Sequence, residues 1–349
     1  MNSKPPSLLP SQAQAVAPQV TALVDDLFCN PRSSRYGPYT RIDEGIELLP
    51  DRLYRFKMLD QSQQSVSLQV FTGLESIGGQ LWEQEVRVLL RVSAVGHPSL
   101  PRILNGGYDE ENDQDVKIAF VVTERSQFDL TQPAAMPYFQ SRPSDCMRHL
   151  SLLADALSVL HGQGLMHRNF WPGAVEVIED PPDSNLYRLR LARFEMSALV
   201  SSFLLRVHTG DNQGEREIRE LFLRQGVRYL AYCPPERLGF LFSDASAGMF
   251  ESDRSDVYGL GVLAWEWFLG SLPGPLLSGD PVAGPVASPL EWAKAVRDHM
   301  RAELTRRRLS PRIVDLLQGM LDPDPRTRMT SSEVVGEITR NYDALVPQN

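Results

Sequence analysis

Cysteine is scarce in this chain, and its three positions form no recognisable pattern. Cys29, Cys146 and Cys233 lie far apart and include no CxxC pair. Disulfide-stabilised secreted domains need an even, dense set of cysteines, and this set is odd and sparse. We therefore expect isolated thiols in a reducing, cytoplasmic compartment and no disulfide framework.

Long apolar runs and an excess of basic residues are also missing. The most apolar long stretch, Val257–Leu277, contains Glu266, several glycines and two prolines, which favours a buried helix and its exit loop over a membrane span. The first residues lack the continuous apolar core of a signal peptide. The formal net charge of −9 argues against a nucleic-acid partner. We expect a soluble protein that binds neither nucleic acid nor membrane.

The length and composition are those of a globular protein. With 349 residues, of which 42% are hydrophobic and 23% charged, the chain is long enough for one large domain or two lobes. Prolines interrupt residues 1–41, which predicts a flexible N-terminal tail. Within it, Pro18–Phe28 has apolar residues on one helical face. This short helix is either part of a frayed tail or an element that docks on the body of the protein or on a partner.

Periodicity after the tail predicts an α+β fold. Leu53–Leu59 and Val66–Phe71 alternate like strands around a polar turn. Gly78–Val95 has the spacing of an amphipathic helix, and two further strand-like stretches follow it. Later signals are mainly helical. We predict a small antiparallel-sheet N-lobe with one helix over residues 42–124, a hinge near Glu124, and a larger helical C-lobe over residues 125–349.

Several short motifs then follow one another in a recognisable order. In chain order they are VSLQVF (66–71), WEQEVRVL (82–89), LHGQGLMHRN (160–169), LARFEMS (191–197), YCPPE (232–236), SDVYGLGVLAWE (255–266) and DPDPRTRMT (322–330). Their order and spacing resemble the eukaryotic-like, or Hanks-type, Ser/Thr protein kinase family over roughly residues 45–342. The resemblance implies a bilobal protein-kinase fold with an activation segment over residues 193–236.

The resemblance also locates the residues that phosphoryl transfer requires, and these are replaced. Gln69 stands at the nucleotide-binding lysine position, and a neutral amide cannot neutralise phosphate charge. Asn169 stands at the catalytic aspartate position, where an amide cannot accept a proton at physiological pH. Ala174 and Arg193 stand at the two magnesium-ligand positions, and neither offers a carboxylate or amide oxygen. We therefore predict no catalytic residue and no metal site.

The phosphate-binding loop departs from the family pattern as well. Its glycines are expected at Ile46, Leu48 and Asp51, where side chains occupy the space that phosphates need. Trp171 replaces the lysine that follows the catalytic aspartate. The residual cleft consists of Gln69 and Arg193 with three further residues: the helix glutamate Glu85, the gatekeeper Thr123 and the hinge residue Glu124.

Positions that hold the fold together keep the family residue. The resemblance assigns structural roles to His167, Arg168, Phe194, Glu236, Asp256 and Arg328. It implies that Glu236 and Arg328 form a buried ion pair and that Asp256 holds the backbone of the catalytic loop. The split between kept and replaced positions identifies the chain as a degenerate member of the family, a pseudokinase.

Two charged positions leave alternatives open. Arg193 either fills the former metal region and bridges to Glu85, or points to solvent. Arg55 and Lys57 are candidates for a relocated lysine charge, although an exposed cation on a strand is usually only solvated.

The predicted function is that of an inactive scaffold or allosteric regulator. We expect no cofactor, and another protein as partner, bound through the activation segment, a lobe face or the N-terminal tail. The activation segment includes the apolar stretch Ser197–Leu205, and Tyr229 replaces its substrate-contacting threonine. The alternatives are a pseudokinase that binds ATP without the usual magnesium site, and an atypical ATP-using transferase with relocated catalytic residues.

Overall fold

A computed structural model describes residues 16–32, 34–75, 77–112, 116–124, 128–132, 135–140, 143–179, 187–197, 212–225, 227–241, 251–270, 272, 298–299, 301–303, 306 and 309–345. Most of the apolar stretch Ser197–Leu205 and most of a helix that the sequence predicts over Pro289–Leu309 lie outside these ranges. The described residues form the predicted α+β architecture, with a sheet-rich lobe followed by a helical lobe.

The first lobe is built on a six-stranded antiparallel sheet. Its strands are β1 (Thr40–Arg41), β2 (Ile46–Leu49), β3 (Leu53–Leu59), β4 (Ser65–Phe71), β5 (Ile103–Asp109) and β6 (Ile118–Glu124). They run in the order β1-β3-β4-β6-β5, and β2 also pairs with β3. Helix α2 (Ile77–Ser93) packs on one face through the stripe that the sequence predicts, including Leu81, Val88 and Leu89.

The N-terminal segment covers the opposite face of this sheet. Helix α1 (Pro18–Val24) begins with proline, whose missing N–H costs nothing there, and continues into a π-helical turn, Asp25–Cys29. Val24 and Phe28 are fully buried, and the Phe28 ring lies 5.0 Å from that of Phe120 on β6. Of the two alternatives for the helix predicted over Pro18–Phe28, docking on the body of the protein is therefore correct and a frayed tail is not.

The second lobe combines a small sheet with helices. Strands β7 (Phe128–Asp129), β8 (Val175–Glu179) and β9 (Tyr187–Leu191) pair antiparallel beside the cleft. The helices are α3 (Ala135–Gln140), α4 (Pro143–Gly162), α5 (Asn212–Arg224), α6 (Val227–Tyr232), α7 (Pro235–Leu241), α8 (Arg254–Leu269), α9 (Pro311–Met320) and α10 (Ser331–Leu345).

Helix α8 forms the centre of this lobe. Nearly all of its residues are buried, which explains why its sequence is apolar on every side. It ends at Gly270, whose φ of 77° is a left-handed conformation that glycine adopts without strain. Among the described helices, none is both long enough and apolar enough to cross a membrane.

Candidate functional site

The back of the cleft between the lobes contains Gln69 and Glu85. Gln69 lies on β4 and Glu85 on α2, and both side chains are buried. Gln69 Nε2 donates a long hydrogen bond to Glu85 Oε1 at 3.5 Å. The two residues therefore meet as the resemblance implies for this pair of positions, but with a neutral amide in place of a cation.

Arg193 agrees only in part with one of the two alternatives considered from the sequence. Its residue is 3% exposed, so it does not point to solvent, and its Nε donates directly to Glu195 Oε1 instead of pairing with Glu85. The backbone at Arg193 is left-handed, with φ at 66°, at the start of the 3-10 turn Phe194–Met196. Arg193 is therefore buried in the former metal region, as one alternative held, but its direct partner is its near neighbour Glu195 and not Glu85.

Glu195 is the residue that the sequence analysis missed here. Its carboxylate approaches Glu85, so two buried acids share one arginine. Burial raises the pKa of Glu85 well above its usual range, the negative charge of Glu195 raises it further, and Arg193 opposes the shift. The direction of this shift favours the neutral form of Glu85.

The geometry of this group does not fit a magnesium-bound nucleotide. Asn169 Nδ2 donates to the backbone oxygen of Arg193 at 3.3 Å, and Ala174 is buried without a ligand atom. The guanidinium of Arg193 places positive charge where a divalent cation needs oxygen ligands. Within the described ranges, no three His, Cys, Asp or Glu side chains are grouped to hold a metal.

The turn between β2 and β3 is built differently from a phosphate-binding loop. The Asp51 N–H donates to Glu47 Oε1 at 2.8 Å, and the Arg52 N–H donates to the Leu49 oxygen at 3.0 Å. The Asp51 oxygen accepts a hydrogen bond from Thr72 Oγ1. Because these backbone donors have partners within the protein, the turn does not offer them to an anion.

The front of the cleft is crossed by a network of charged side chains, which we call the cleft network. It consists of Arg55, Glu124, Asp129, Glu176 and Arg190. Arg55 on β3 donates to Asp129 Oδ2 at 3.0 Å and to Glu176 Oε1 at 3.3 Å. Because Asp129 and Glu176 belong to the second sheet, Arg55 joins the two lobes.

Arg190 completes the cleft network from strand β9. It donates to Glu176 Oε2 at 2.8 Å, to Glu124 Oε2 at 3.3 Å and to the backbone oxygen of Glu124. Arg190 is 1% exposed. Its hydrogen bonds therefore occupy both the side chain and the carbonyl of Glu124, where the chain leaves β6 beside Thr123.

Arg55 was expected to be an exposed, solvated cation, and this expectation is wrong. The residue is 6% exposed, because the strand places it over the second sheet and two carboxylates neutralise it. Lys57, the other candidate, is half-buried, and its backbone N–H donates to Asp43 Oδ1 at 3.0 Å. The alternation of arginine and leucine in Tyr187–Leu191 was the available signal for Arg190, but it does not say which face of β9 meets the cleft.

The catalytic-loop region is held from beneath by Asp256 on α8. The carboxylate accepts the N–H groups of His167 at 2.7 Å and Arg168 at 2.6 Å, and His161 Nε2 lies 3.0 Å away. Burial acts to raise the pKa of Asp256, but these hydrogen bonds and the nearby histidines outweigh it, so the pKa lies below its usual value. His167 contacts the Ala192 oxygen at 2.8 Å through Nε2, and its ring lies 4.8 Å from that of Phe194.

Arg168 is tied to the activation segment and to Glu251, three residues before the start of α8. Its Nη1 donates to the Ser197 oxygen at 2.9 Å, and its Nε lies 3.5 Å from Glu251. Arg237 pairs with the same Glu251 carboxylate and donates to the Arg168 oxygen. Two buried arginines therefore converge on one carboxylate and brace the loop.

Aromatic side chains cover the outer side of this loop. The rings of Trp171 and Tyr229 lie 5.9 Å apart, and Tyr229 stacks on Phe222 of α5 at 5.7 Å. All three residues are buried. The positions that correspond to the loop lysine and the substrate-contacting threonine are thus filled by a packed aromatic cluster formed with the activation segment.

A second buried ion pair joins the end of this segment to the rest of the helical lobe. Arg328 Nη1 and Nη2 donate to Glu236 Oε1 and Oε2 at 2.7 and 3.1 Å. Ser255 Oγ donates to the same carboxylate at 2.7 Å, and Arg328 Nε donates to the Asp322 oxygen at 2.8 Å. Glu236 and Arg328 therefore form the pair that the resemblance implies.

Comparison with known proteins gives one sequence relative and many structural neighbours. No family model matches the chain. The chain is 27% identical over 197 residues to the serine/threonine-protein kinase Pkn2 of Myxococcus xanthus, an alignment that covers 56% of this chain and 20% of that protein. The chain thus spans about one fifth of the length of the curated relative that it matches.

Solved structures with a similar fold include two of Rad53, both in complex with AMP-PNP. A structure of Rad53 residues 1–466 matches with a TM-score of 0.54 and 18% identity, covering 86% of this chain and 64% of that one. The Rad53 kinase domain with SCD2 matches with a TM-score of 0.52 and 16% identity, covering 86% and 88%. At this identity the likeness shows the fold: the described chain has the bilobal protein-kinase architecture.

Proposed function

We propose that this chain, which has the protein-kinase fold and is related in sequence to Hanks-type Ser/Thr kinases, is a pseudokinase. It acts as a protein-interaction scaffold or allosteric regulator and does not transfer phosphoryl groups. Three observations support this proposal: the charged side chains that cross the cleft, the residues of the catalytic loop, and the buried contacts that hold the fold.

The cleft network is the observation that carries the proposal. A nucleotide base needs a largely apolar pocket with free backbone donors and acceptors. Here Arg190 engages the Glu124 carbonyl, and Arg55 and Glu176 place buried charges in the same region. Displacing these side chains would leave charges without partners in a buried site, which is strongly unfavourable.

The catalytic loop supports the same conclusion. Asn169 offers no proton-accepting group, and Arg193 opposes a metal with its own positive charge. The aromatic cluster of Trp171, Phe222 and Tyr229 covers the surface where a substrate hydroxyl would approach. Loss of the base, the metal ligands and the substrate surface together removes each part of phosphoryl transfer.

The residues that shape the lobes support a role in binding. Asp256 accepts the N–H of His167, and Arg328 pairs with Glu236 at the end of the activation segment, so contacts within the protein hold these parts of the helical lobe. A rigid surface of this kind can present the activation segment, or the face of a lobe, to a protein partner. Part of the N-terminal tail is engaged on the small lobe, since Val24 and Phe28 are fully buried there.

Calorimetric titration of the full chain with ATP and ADP, each with and without magnesium, tests the proposal. We expect no heat of binding and no thermal stabilisation with any of the four combinations. Binding that does not need magnesium would instead favour a nucleotide-binding pseudokinase. Magnesium-dependent binding together with transfer of labelled phosphate or nucleotide would establish an atypical transferase and refute the proposal.

A variant with restored catalytic residues tests whether the missing residues or the filled cleft prevent ATP binding. In the triple variant Gln69→Lys, Asn169→Asp and Arg193→Asp, three of the four family residues return but the cleft network stays. We expect this variant, once shown by circular dichroism to be folded, to remain without ATP binding. Addition of Arg55→Val, Glu176→Leu and Arg190→Gln removes the cleft network, and ATP binding only after that step would identify the network as the barrier.

A further inference from the structure

The chain crosses from the small lobe to the helical lobe between Glu124, at the end of β6, and Phe128, at the start of β7. Two bodies joined by one crossing of this kind usually move relative to each other, unless the interface between them is large and apolar. Arg190 of the helical lobe fixes the crossing itself, since it donates to the backbone oxygen of Glu124 and to Glu124 Oε2 at 3.3 Å. Contacts further from the crossing act on a longer lever arm and resist rotation more strongly.

Arg55 makes such a contact at the front of the cleft. It lies opposite Gln69 on β4, which in turn lies opposite Val121 on β6. Neighbouring strands are about 4.8 Å apart, so Arg55 is about 10 Å from β6 across the sheet. Its guanidinium holds Asp129 Oδ2 at 3.0 Å and Glu176 Oε1 at 3.3 Å, both in the helical lobe. The three charged residues are buried, so salt screens their attraction only weakly.

The loop between α2 and β5 makes a second set of contacts, at the back of the cleft. The Leu191 N–H of the helical lobe donates to the Ser99 oxygen at 2.9 Å. In the same loop, His97 Nε2 lies 3.2 Å from Asp155 Oδ2 on α4. The end of α2 is therefore attached to both the small sheet and the long helix of the helical lobe.

The apolar core is also continuous between the lobes. Phe194 of the helical lobe is buried in the same cluster as Leu81 and Leu89 of α2 and Phe71 of β4. The apolar residues on the other face of the sheet belong to a separate cluster, which they form with the N-terminal segment. The inner face of the small lobe thus shares one core with the helical lobe, which is typical of a single domain.

We propose that the two lobes form one rigid body when no ligand is bound, and that Arg55 is the clamp that fixes the angle between them. The shared core and the α2–β5 loop hold the back of the cleft, and Arg55 holds the front. The clamp needs no nucleotide, because both carboxylates that Arg55 contacts belong to the protein. A partner that contacts both lobes therefore meets a surface that is already formed. This inference concerns the free chain and does not rest on the proposed function.

Pulsed electron paramagnetic resonance between two spin labels tests the proposal. Glu75→Cys and Arg312→Cys place one label on each lobe, because Glu75 is exposed beyond the end of β4 that is remote from the crossing, and Arg312 is exposed at the start of α9. Cys29→Ser removes the partly exposed native thiol, while Cys146 and Cys233 are buried. We expect one narrow distribution of distances without ligand, and the same distribution with ATP and magnesium.

Variants of Arg55 identify the clamp. Arg55→Met should broaden the distribution and move its maximum to a longer distance, because the front contact is lost while the crossing remains. Arg102→Met is the matched control and should leave the distribution unchanged, since Arg102 is an exposed arginine that pairs with Glu124 at the crossing. Arg55→Glu should also broaden the distribution. Adding Asp129→Arg should narrow it again, because Asp129 lies opposite Glu176 and the cluster regains one cation between two carboxylates.

A broad or two-peaked distribution in the chain that keeps Arg55 would overturn the proposal, and this measurement needs no variant of Arg55 to fold. The narrow distribution in an Arg55→Met chain shown by circular dichroism to be folded would overturn it too. So would a distribution for Arg55→Glu that Asp129→Arg does not narrow. A shift on addition of ATP would contradict the rigid body, whereas ATP binding without a shift would refute the proposed function and leave the clamp intact.

Discussion

Two buried charge clusters in this molecule differ in how well their atoms are matched. In the helical lobe, Arg328 forms a bidentate pair with Glu236, and Ser255 and the Asp322 oxygen complete the hydrogen bonds. At the back of the cleft, two carboxylates, Glu85 and Glu195, share the single cation of Arg193. There, Glu85 Oε2, Glu195 Oε2 and Arg193 Nη2 have no hydrogen-bond partner among the described protein groups.

The difference separates residues that hold the fold from residues at the positions where the kinase family carries out catalysis. A buried pair with complete hydrogen bonds cannot lose one member without exposing the other to an apolar surrounding. In the cleft cluster, the raised pKa of Glu85 favours its neutral form, which lessens the excess of negative charge. Under the proposed function, the first kind of cluster is needed for the fold, while the second is free to change because no phosphate or metal has to be bound.

Replacing Arg328 should have the largest effect on stability. Arg328→Met leaves the buried Glu236 carboxylate without its cation, and we expect a loss of about 3–5 kcal/mol in the free energy of unfolding. Urea unfolding followed by tryptophan fluorescence measures this loss. Arg326→Ala is the control, because Arg326 pairs with Asp324 in an exposed position and should leave the urea midpoint unchanged. Equal effects of the two variants would contradict the contrast between the clusters.

Replacing Arg55 should have an intermediate effect. Arg55→Met removes the contact between the lobes, but Glu176 keeps Arg190, and Asp129 keeps the N–H of Thr131. We therefore expect a loss of about 1–3 kcal/mol in the same unfolding experiment. Arg102→Met provides the comparison, since Arg102 is largely exposed and should change little. If Arg55→Met costs as much as Arg328→Met, the remaining partners do not compensate as the geometry indicates.

Replacing Glu85 should give the smallest effect at neutral pH, and with the opposite sign. A carboxyl whose pKa is raised on folding adds stability below its unfolded pKa, and this contribution is lost as pH rises toward the folded value. Glu85→Gln mimics the protonated form at every pH. We expect the variant to exceed the wild type by on the order of 1 kcal/mol at neutral pH, with the advantage shrinking as pH falls toward about 4.

Glu333 offers a control in which the pH dependence is reversed. Its carboxylate accepts the Thr330 N–H at 2.7 Å at the start of α10, and this hydrogen bond lowers the pKa of Glu333. Its stabilising contribution is therefore present above the unfolded pKa and is lost as pH falls through the folded value. Glu333→Gln should be less stable than the wild type at neutral pH, and the difference should disappear in acid. A shared direction for Glu85→Gln and Glu333→Gln would contradict the raised pKa of Glu85.

Local sequence patterns predicted the helices and strands well, because the spacing of apolar residues depends only on the local backbone conformation. The alternation in Leu53–Leu59 and the stripe in α2 correspond to the observed strand and helix, and the predicted α+β kinase-like fold is confirmed. The same patterns misjudged Arg55, because alternation shows that a side chain points to one face but not what covers that face. They also passed over Arg190, whose partners Glu124 and Glu176 lie on other strands.

The sequence by itself determined most of the helices and strands and the two lobes, and it predicts that Gln69, Asn169, Ala174 and Arg193 stand at the family's catalytic positions. These follow from side-chain chemistry and periodicity, which are local. Only the tertiary structure decided that Arg193 pairs with Glu195, that Arg55 and Arg190 close the front of the cleft, and that the N-terminal helix packs on the sheet. The partner of a charged side chain and the burial that sets the strength of the interaction both depend on how distant segments are arranged in the fold.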